Sequence, residues 1–444
     1  MRRALLSALL LLTSLPTLAA EPSSQPAWPR VRKARIQKLL PEAMSRANVD
    51  AWVVLCREND NDPLAAHIGC ENAGAMAAFL FLKQGEGLRS IALSPAGEAR
   101  ALQDIALHDE VVSVEKGTDI FARVAARLAE AKPKRIAVNS SSKMTVADGL
   151  SASQRERLEA ALAPALRKRL VSSEELVFEW LSEKLPEEVE IMRQAAALTA
   201  SLQVEAYRTV VPGKTRDSDV ARFLKKRMAE LGVGDGWAPE QNPNVNSGPD
   251  RGHSHATDRV IQPGDFIQTD FGIKVEGMWV TDIQRFAYVL APGETQPPKE
   301  ALEKWEKSKK GNRVAFAALK PGMRGYDVDK AQRDWMREAG SEPVMWGTGH
   351  PVGYWAHDVG PALSGAQKDK PPEGWSLRPI LPGQVFAFDG FFAWKLATPG
   401  ETKTLSVEEM AVVTEKGAEY LIPPQEELIL IPSPAATPRA STGK

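Results

Sequence analysis

Short apolar runs alternate with helical patterns in the first part of the chain, from about residue 34 to residue 184. The apolar runs are AWVVLC from residue 51, AAFLFL from 77, SIALS from 90, EVVSV from 110 and RIAVN from 135. The patterns between them predict helices around residues 34–47, 118–132 and 152–168. Such alternation is typical of a sheet covered by helices. The sequence therefore predicts an α/β N-terminal domain over residues 34–185.

The rest of the chain contains a repeated pattern. RVIQPGDFIQTDFG begins at Arg259, and RPILPGQVFAFDG begins at Arg378. In each copy the aspartate follows the arginine by 11 residues (270 − 259 and 389 − 378), so Asp270 and Asp389 occupy equivalent strand ends. Before each copy, a Pro-Gly turn precedes a helical pattern that closes on a glycine. We therefore predict a duplicated α+β domain over residues 186–425, with the acids of its two halves facing each other.

The two predicted domains meet at KLPEE, residues 184–188, where a proline and acids precede a long helical pattern. At the start of the chain, two arginines precede an apolar run and then small residues, so residues 1–20 are predicted to be a secretory signal peptide. Residues 21–33 are predicted to form a mobile leader. Residues 426–444, rich in Pro, Ala and Ser, are predicted to form a disordered tail.

Composition narrows the class of protein. The 444 residues are 43% apolar and 25% charged, with a formal net charge of −1. These values are typical of a globular protein and give no electrostatic case for a nucleic-acid partner. After signal removal, no segment is apolar for long enough to cross a membrane. The two cysteines, Cys56 and Cys70, could form a disulfide in an oxidising compartment or remain as two buried thiols, and their spacing matches no zinc motif.

Polar residues that interrupt apolar strands of the second domain supply the candidate chemistry. They are four carboxylates and one histidine: Asp270, Asp282, His350, Asp389 and Glu408. Four acids gathered inside one domain repel one another, and two divalent cations would neutralise them. Their oxygen and nitrogen donors suit Mn, Fe, Co or Zn. In an alternative interpretation, each acid pairs separately with an arginine, such as Arg259, Arg285 or Arg378.

Further histidines could serve catalysis rather than metal binding. His357 follows His350 by 7 residues (357 − 350) in a Gly-rich stretch, and it could donate to a substrate carbonyl or an oxyanion. His253 or His255, in SGPDRGHSHATDR, could contact the substrate nitrogen or the leaving group. Two metal ions that share a water lower its pKa and polarise an acyl oxygen, so this residue set favours metal-assisted hydrolysis.

The order of the five ligands, with VNSGP upstream and EEMAVVTEKGAEYL at the end, resembles the pita-bread metallopeptidases of family M24. The domain in front is similar to the creatinase-type N-terminal domain of Xaa-Pro aminopeptidases and prolidases. The resemblance implies that Asp270 binds one metal ion and that His350 and Asp389 bind the other. It implies that Asp282 and Glu408 bridge the two ions.

The resemblance also assigns catalytic residues. His357 matches the family's second catalytic histidine, and the spacing to the first aspartate favours His253 over His255. The family normally has a glutamate, often proposed as the general base, where this chain has Asp389, which draws the carboxylate back by about 1.5 Å. The first two aspartates are also one residue further apart than is usual. Ser406 stands where many Xaa-Pro peptidases carry an arginine.

The sequence thus predicts a secreted, periplasmic peptidase that uses two divalent metal ions, manganese first, to cleave short peptides at Xaa-Pro bonds. The alternatives are a catalytically inactive pita-bread binding protein and a creatinase-like C–N hydrolase. Three tryptophans, Trp279, Trp346 and Trp355, could line a pocket for a proline ring or belong to the core. The choice between aminopeptidase and dipeptidase stays open, and so does the formation of a homodimer.

Overall fold

The computed structural model describes residues 25–59, 61–70, 75–251, 256–367, 372 and 374–433. The predicted signal peptide, residues 1–20, lies outside these ranges. Within them, none of the helices combines the length and the apolar character that crossing a membrane requires.

A six-stranded sheet forms the centre of the N-terminal domain. Its strands are β1 (Ala51–Cys56), β2 (Ala77–Gln84), β3 (Gly87–Pro95), β4 (Glu110–Val114), β5 (Ile136–Val138) and β6 (Leu170–Ser172), in the order β4-β3-β2-β1-β5-β6. β1 pairs antiparallel with β2 and parallel with β5. Alternate residues of β1 enter two different hydrophobic clusters, so the sheet is covered on both faces, as predicted for an α/β domain.

Eight α-helices surround this sheet. They are α1 (Trp28–Ala34), α2 (Leu40–Arg46), α3 (Ala65–Ile68), α4 (Ala96–Ile105), α5 (Ile120–Ala131), α6 (Ala152–Ala161), α7 (Pro164–Arg167) and α8 (Glu174–Leu181), with a π-helical turn at Arg35–Leu39 and a 3₁₀ turn at Thr145–Ala147. The single helix predicted over 152–168 is two helices. Pro164 starts the second one, because the residue before a proline avoids the helical region, and Ala163 is extended (φ −55°, ψ 147°).

The predicted leader, residues 21–33, needs correction from Trp28 onward. Trp28 begins α1, with a proline in the first turn that favours a helix start. Its ring packs edge-on against Trp279 of the second domain, with ring centres 5.7 Å apart. The amide of Ala27 donates to Glu276 Oε2 at 2.7 Å. This segment is therefore part of the folded protein.

Cys56 and Cys70 form a disulfide, with their Cα atoms 6.3 Å apart. The sequence left open a disulfide or two buried thiols, and the structure contains the disulfide. The bond ties the end of β1 to the residue two positions beyond α3.

The C-terminal domain contains four long helices, α9 (Pro186–Arg208), α10 (Asp217–Leu231), α11 (Lys299–Ala318) and α12 (Gly325–Ala339). Its strands are β7 (Gly234–Asp235), β8 (Asn244–Ser247), β9 (Phe266–Phe271), β10 (Ile273–Val275), β11 (Trp279–Val280), β12 (Ile283–Val289), β13 (Gly349–Pro351), β14 (Val385–Lys395), β15 (Thr402–Thr414), β16 (Gly417–Tyr420) and β17 (Ile429–Ile431). Two four-stranded sheets result, in the orders β17-β12-β9-β8 and β13-β14-β15-β16. A 3₁₀ turn spans Gly374–Leu377.

The internal repeat is confirmed in local detail. At the start of α10 the amide of Arg216 donates to Asp219 Oδ2 at 2.7 Å, and at the start of α12 the amide of Arg324 donates to Asp327 Oδ2 at 3.0 Å. Both helices end on a glycine with positive φ, namely Gly232 (65°) and Gly340 (78°). The two halves are built from equivalent helices and hairpins.

A tight hairpin turn lies between Asp270 and Asp282. β10 and β11 pair antiparallel, and the turn between them is made by Glu276 (φ 50°) and Gly277 (φ 68°). Two successive residues with positive φ match the type I′ turns that suit the twist of a hairpin.

The predicted disordered tail, residues 426–444, is wrong at its beginning. Ile429–Ile431 forms β17, which pairs parallel with β12. The apolar run LILI at 428–431 explains the difference, because it extends a sheet that already has an apolar face. Residues 434–444 lie outside the described ranges.

Arg35, in the π-helical turn, joins the two domains. Its side chain is fully buried and pairs with Glu188 in the first turn of α9, with 2.6 Å between Nη1 and Oε2. It also donates to the carbonyls of Trp180 and Glu183. The Tyr354 hydroxyl donates to the same glutamate at 2.5 Å. A buried ion pair thus connects the two domains at the boundary predicted at residues 184–188.

Candidate metal centre

Two antiparallel hairpins carry the acids. In the first half, β9 and β12 pair so that Asp270 lies opposite Gln284. In the second half, β14 and β15 pair so that Asp389 lies opposite Glu408. Asp282 comes directly before β12 and two residues before Gln284. Because side chains two residues apart on a strand point to the same face, Asp282 and Gln284 lie on one face of the sheet.

His350 completes this group from β13. Its Nε2 lies 3.7 Å from Asp282 Oδ2 and 3.9 Å from Glu408 Oε1. Ligand atoms of these three residues all fall within 4.8 Å of one another. Nδ1 of His350 contacts the carbonyl of Pro351 at 3.2 Å. A backbone bond at Nδ1 fixes the ring and leaves Nε2 to act as a ligand.

The remaining acids belong to the same cluster. Burial raises the pKa of Asp282 well above its usual range, and the charges of Glu408, Asp270 and Asp389 raise it further. Burial also raises the pKa of Asp389, with added contributions from Glu408 and Asp270. The pKa of Glu408 is raised by burial first and then by Asp270. The charge of Asp270 therefore acts on each of the other three carboxylates, which places all four predicted acids in one cluster.

The alternative in which these acids pair separately with arginines is wrong. Each of the three candidate arginines has another partner: Arg259 pairs with Asp265, Arg378 with Glu175 and Glu179, and Arg285 with Glu409. The cluster is therefore left with more buried negative charge than its neighbouring side chains balance.

Two buried oxygens of the cluster, Asp282 Oδ1 and Glu408 Oε2, accept no hydrogen bond in the described part of the chain. Buried carboxylate oxygens without donors are costly unless a cation binds them. Carboxylate oxygens with one imidazole nitrogen form the donor set that manganese, iron, cobalt and zinc accept. The residues present therefore fit divalent metal ions.

A small polar cavity of about 40 Å³ lies beside Asp389. Gln284 links its wall to the acid, because Gln284 Nε2 donates to Asp389 Oδ1 at 3.3 Å. Gln284 Oε1 in turn accepts from Ser406 Oγ at 2.6 Å and from Gln268 Nε2 at 2.5 Å. Ser406 thus adds a hydroxyl to the amides of Gln268 and Gln284 in the wall of this cavity.

The predicted catalytic histidines are only partly described. His357 lies beside His350, with ring centres 4.2 Å apart. His253, like His255, lies outside the described residues. Of the three tryptophans, Trp279 is fully buried and donates to Glu188 at 3.2 Å, so it belongs to the core. Trp346 lines the small polar cavity.

One residue that the sequence did not single out, Gln203, supports the first hairpin. From α9 its Nε2 donates to the carbonyls of Thr269 (3.2 Å) and Ile283 (2.8 Å). These carbonyls come directly before Asp270 and Gln284. Gln203 therefore fixes the spacing of the two strands at the site.

Asn312 performs the same task in the second hairpin. From α11 its Nδ2 donates to the carbonyls of Phe388 (3.0 Å) and Val407 (3.1 Å), directly before Asp389 and Glu408. Each is one of several polar residues on the buried face of its helix, so the sequence pattern alone did not single it out.

A comparison of the sequence with protein families gives one match, to metallopeptidase family M24, over residues 190–415. This chain belongs to family M24. The matched segment contains both hairpins and all five predicted ligands, so the family assignment rests on the part of the chain that forms the site.

Curated relatives carry peptidase names. The chain is 27% identical over 248 residues to a Mycobacterium tuberculosis protein named "Probable dipeptidase PepE", a match that covers 55% of this chain and 60% of that protein. It is 26% identical over 249 residues to the Xaa-Pro dipeptidase of Pyrococcus furiosus, covering 55% and 64%. The chain thus matches somewhat less than two thirds of the length of these relatives.

Solved structures show the same fold over almost the whole chain. The X-Pro aminopeptidase of Thermotoga maritima aligns with a TM-score of 0.66 at 21% identity, covering 88% of this chain and 100% of that one. The coverage includes the N-terminal domain. The two-domain architecture predicted from the sequence is therefore the architecture of this solved structure.

Proposed function

We propose that this protein is a peptidase that uses two divalent metal ions to hydrolyse short peptides, with Xaa-Pro bonds as the leading substrate class. The observation that carries the proposal is the buried cluster in which His350 Nε2 lies 3.7 Å from Asp282 Oδ2 and 3.9 Å from Glu408 Oε1, while Asp282 Oδ1 and Glu408 Oε2 accept no hydrogen bond from any described residue. Membership of family M24 and the names of the relatives support it.

The five ligands divide between the ions as the family resemblance implies. Asp270 would hold one ion, His350 and Asp389 the other, and Asp282 and Glu408 both. When bound, the ions would lower the pKa of a shared water and polarise the scissile carbonyl. Gln203 and Asn312 keep the two hairpins at the spacing that this division requires.

Asp389 and His357 would handle the proton and the developing charge. Asp389, opposite Glu408 on the second hairpin, would accept a proton from the attacking water. Gln284 orients that carboxylate. His357, beside His350, can donate to the oxyanion. We propose that His253 contacts the leaving group.

The test measures metal content and turnover on one preparation. Purified protein is analysed by elemental mass spectrometry, and release of the N-terminal residue Xaa is followed with Xaa-Pro dipeptides and longer Xaa-Pro peptides, with Xaa-Ala peptides as matched controls. We expect bound metal and release of Xaa. Cleavage of dipeptides alone would identify a dipeptidase, and cleavage of longer peptides an aminopeptidase.

The same measurement separates the other candidates. Bound metal without peptide cleavage would reject the peptidase and favour a different metal-dependent hydrolase. Absence of both metal and cleavage would leave a binding protein with the pita-bread fold.

We also propose manganese as the working ion and export to an oxidising compartment, the periplasm. Hard carboxylate donors support manganese. The Cys56–Cys70 disulfide supports export, because disulfides persist mainly in oxidising compartments. N-terminal sequencing of the protein from a periplasmic extract would test export, and an N-terminus at Met1 would contradict it.

A further inference from the structure

A second cavity lies on the other face of β15 from the small polar cavity. It has a volume of about 340 Å³, within the usual size range of small-molecule sites. Lys403 lines it, whereas the next residue, Thr404, lines the polar cavity beside Asp389. Successive side chains of a strand point to opposite faces, so this second cavity is separate from the metal centre.

Lys403 is unusual because its charged group is buried with little compensation. Its side chain is 4% exposed, and Nζ makes no hydrogen bond to any described residue. Asp250 Oδ1 lies 3.9 Å away, which is too far for a hydrogen bond, and that oxygen already accepts from the amide of Thr404 at 2.9 Å. Burial lowers the pKa of Lys403 to about 8, so the group still carries its proton at neutral pH.

The other two cations at the cavity are already paired. Arg259 holds Asp265 through two nitrogens, with Nη2 to Oδ1 at 3.1 Å. Lys304 pairs with Glu300 at 2.6 Å. Lys403 is therefore the cation among the described lining residues that has no hydrogen-bonded carboxylate, since Asp250 Oδ1 lies 3.9 Å from its Nζ, and a buried ammonium without a hydrogen-bond acceptor is costly.

The walls of the cavity suit a flat apolar group. Phe266 packs edge-on against Tyr288, with ring centres 5.1 Å apart, and against Trp394 at 6.1 Å. Lys304 Nζ lies over the Trp394 ring at 4.3 Å. The N-terminal turn of α11, with Pro298 among the lining residues, also faces the cavity, and a helix N-terminus favours negative charge.

We propose that this cavity binds a small organic monocarboxylate whose carboxylate pairs with Lys403 and whose apolar body lies against Trp394. The Lys403 ammonium, which lacks a hydrogen-bond acceptor among the described residues, can bond one carboxylate, whereas the negative charges of Asp250 and Asp265 nearby disfavour a dianion such as phosphate. The aromatic wall provides burial that a bare inorganic anion cannot use. This site does not depend on the metal ions or on peptide hydrolysis.

Benzoate is the probe, and titration calorimetry on the metal-loaded protein is the measurement. We expect benzoate to bind the unaltered protein, and Lys403→Met to weaken binding by at least about tenfold, the effect of losing one charge-assisted hydrogen bond. Lys395→Met, an exposed lysine on the neighbouring strand, is the matched control and should bind as before. Benzyl alcohol, which lacks the charge, should bind at least about tenfold more weakly.

Several results would overturn the proposal: no benzoate binding, equal affinity of the unaltered protein and Lys403→Met, or equal binding of phosphate and benzoate. Benzoate held by the metal ions would also bind Lys403→Met unchanged. Anomalous diffraction from crystals soaked in 4-bromobenzoate should place bromine near Trp394, and bromine only at the metal centre would reject the site.

Discussion

The two halves of the C-terminal domain place their acids at different positions of the same hairpin. At three equivalent positions the first half has Asp270, Asp282 and Gln284, and the second half has Asp389, Ser406 and Glu408. The first position is acidic in both halves. At the other two, an acid in one half corresponds to a neutral residue in the other.

The two neutral residues bond to each other, with Ser406 Oγ donating to Gln284 Oε1 at 2.6 Å. The repeat thus supplies two equivalent hairpins, and the departures from it limit the cluster to four carboxylates, a charge that two divalent cations balance. The faithful position of the repeat thus supplies one acid from each half, and the two imperfect positions supply one acid each.

Asp282→Asn should affect metal binding most strongly. It removes an acid whose equivalent in the second half is the neutral Ser406. We expect metal affinity to fall by at least about a hundredfold, with loss of turnover. Without metal, the variant should melt at a higher temperature than the unaltered protein, because the burial and repulsion that raise the pKa of Asp282 are relieved. Asp334→Asn, on α12, is the control. Full metal content in Asp282→Asn would remove this residue from the ligand set.

The next prediction concerns the ion pair that connects the two halves of the C-terminal domain. Arg285 of the first hairpin and Glu409 of the second are both buried and lie 3.0 Å apart. Arg285→Met should lower the free energy of unfolding by about 3–5 kcal/mol, because it leaves Glu409 buried without its cation. The double variant Arg285→Met, Glu409→Met should recover part of that loss in urea unfolding. A double variant no more stable than the single one would contradict this account.

Removal of the metal should make stability depend on pH in a definite direction. The pKa values of Asp282, Asp389 and Glu408 are raised in the folded protein by burial and mutual repulsion. Such groups take up protons on folding, so their stabilising effect is present at low pH and is lost as pH rises through the raised values. The metal-free protein should therefore melt at a higher temperature at about pH 6 than at about pH 8. Metal-loaded protein should lack this trend, and metal-free Asp282→Asn should show a weaker one, so a trend of equal size in that variant would exclude Asp282 as a contributor.

The smallest expected effect is that of Asp389→Glu, which introduces the acid usual in the family. Turnover should stay within about tenfold of the unaltered protein or rise, because the longer side chain reaches about 1.5 Å further toward the ions. Steady-state kinetics on an Xaa-Pro dipeptide would measure it. A much larger loss would show that Gln284, which bonds Asp389, has adapted the second half to the shorter acid.

The sequence predicted the hairpins and the acids because both follow local rules: a period of two, Pro-Gly turns, and a spacing that occurs twice. It did not predict Gln203 or Asn312, because the backbone carbonyls that they bond exist as targets only after helix and hairpin pack. It also did not predict that Trp28 begins a helix and packs against the second domain. Its partners, Trp279 and Tyr354, are more than two hundred residues away in the chain. Contacts between residues so far apart in the chain produce little local sequence pattern.

The ion pair between Arg35 and Glu188 has a consequence for engineering. A truncated protein that begins at Pro186 would keep Glu188 but lose its cation, and it would expose the ring of Tyr354 that the first domain covers. We expect such a fragment to aggregate rather than to work as a minimal enzyme. A chimera that exchanges the first domain with a relative would need to import the arginine together with the glutamate. In this protein the two domains would therefore have to be exchanged together.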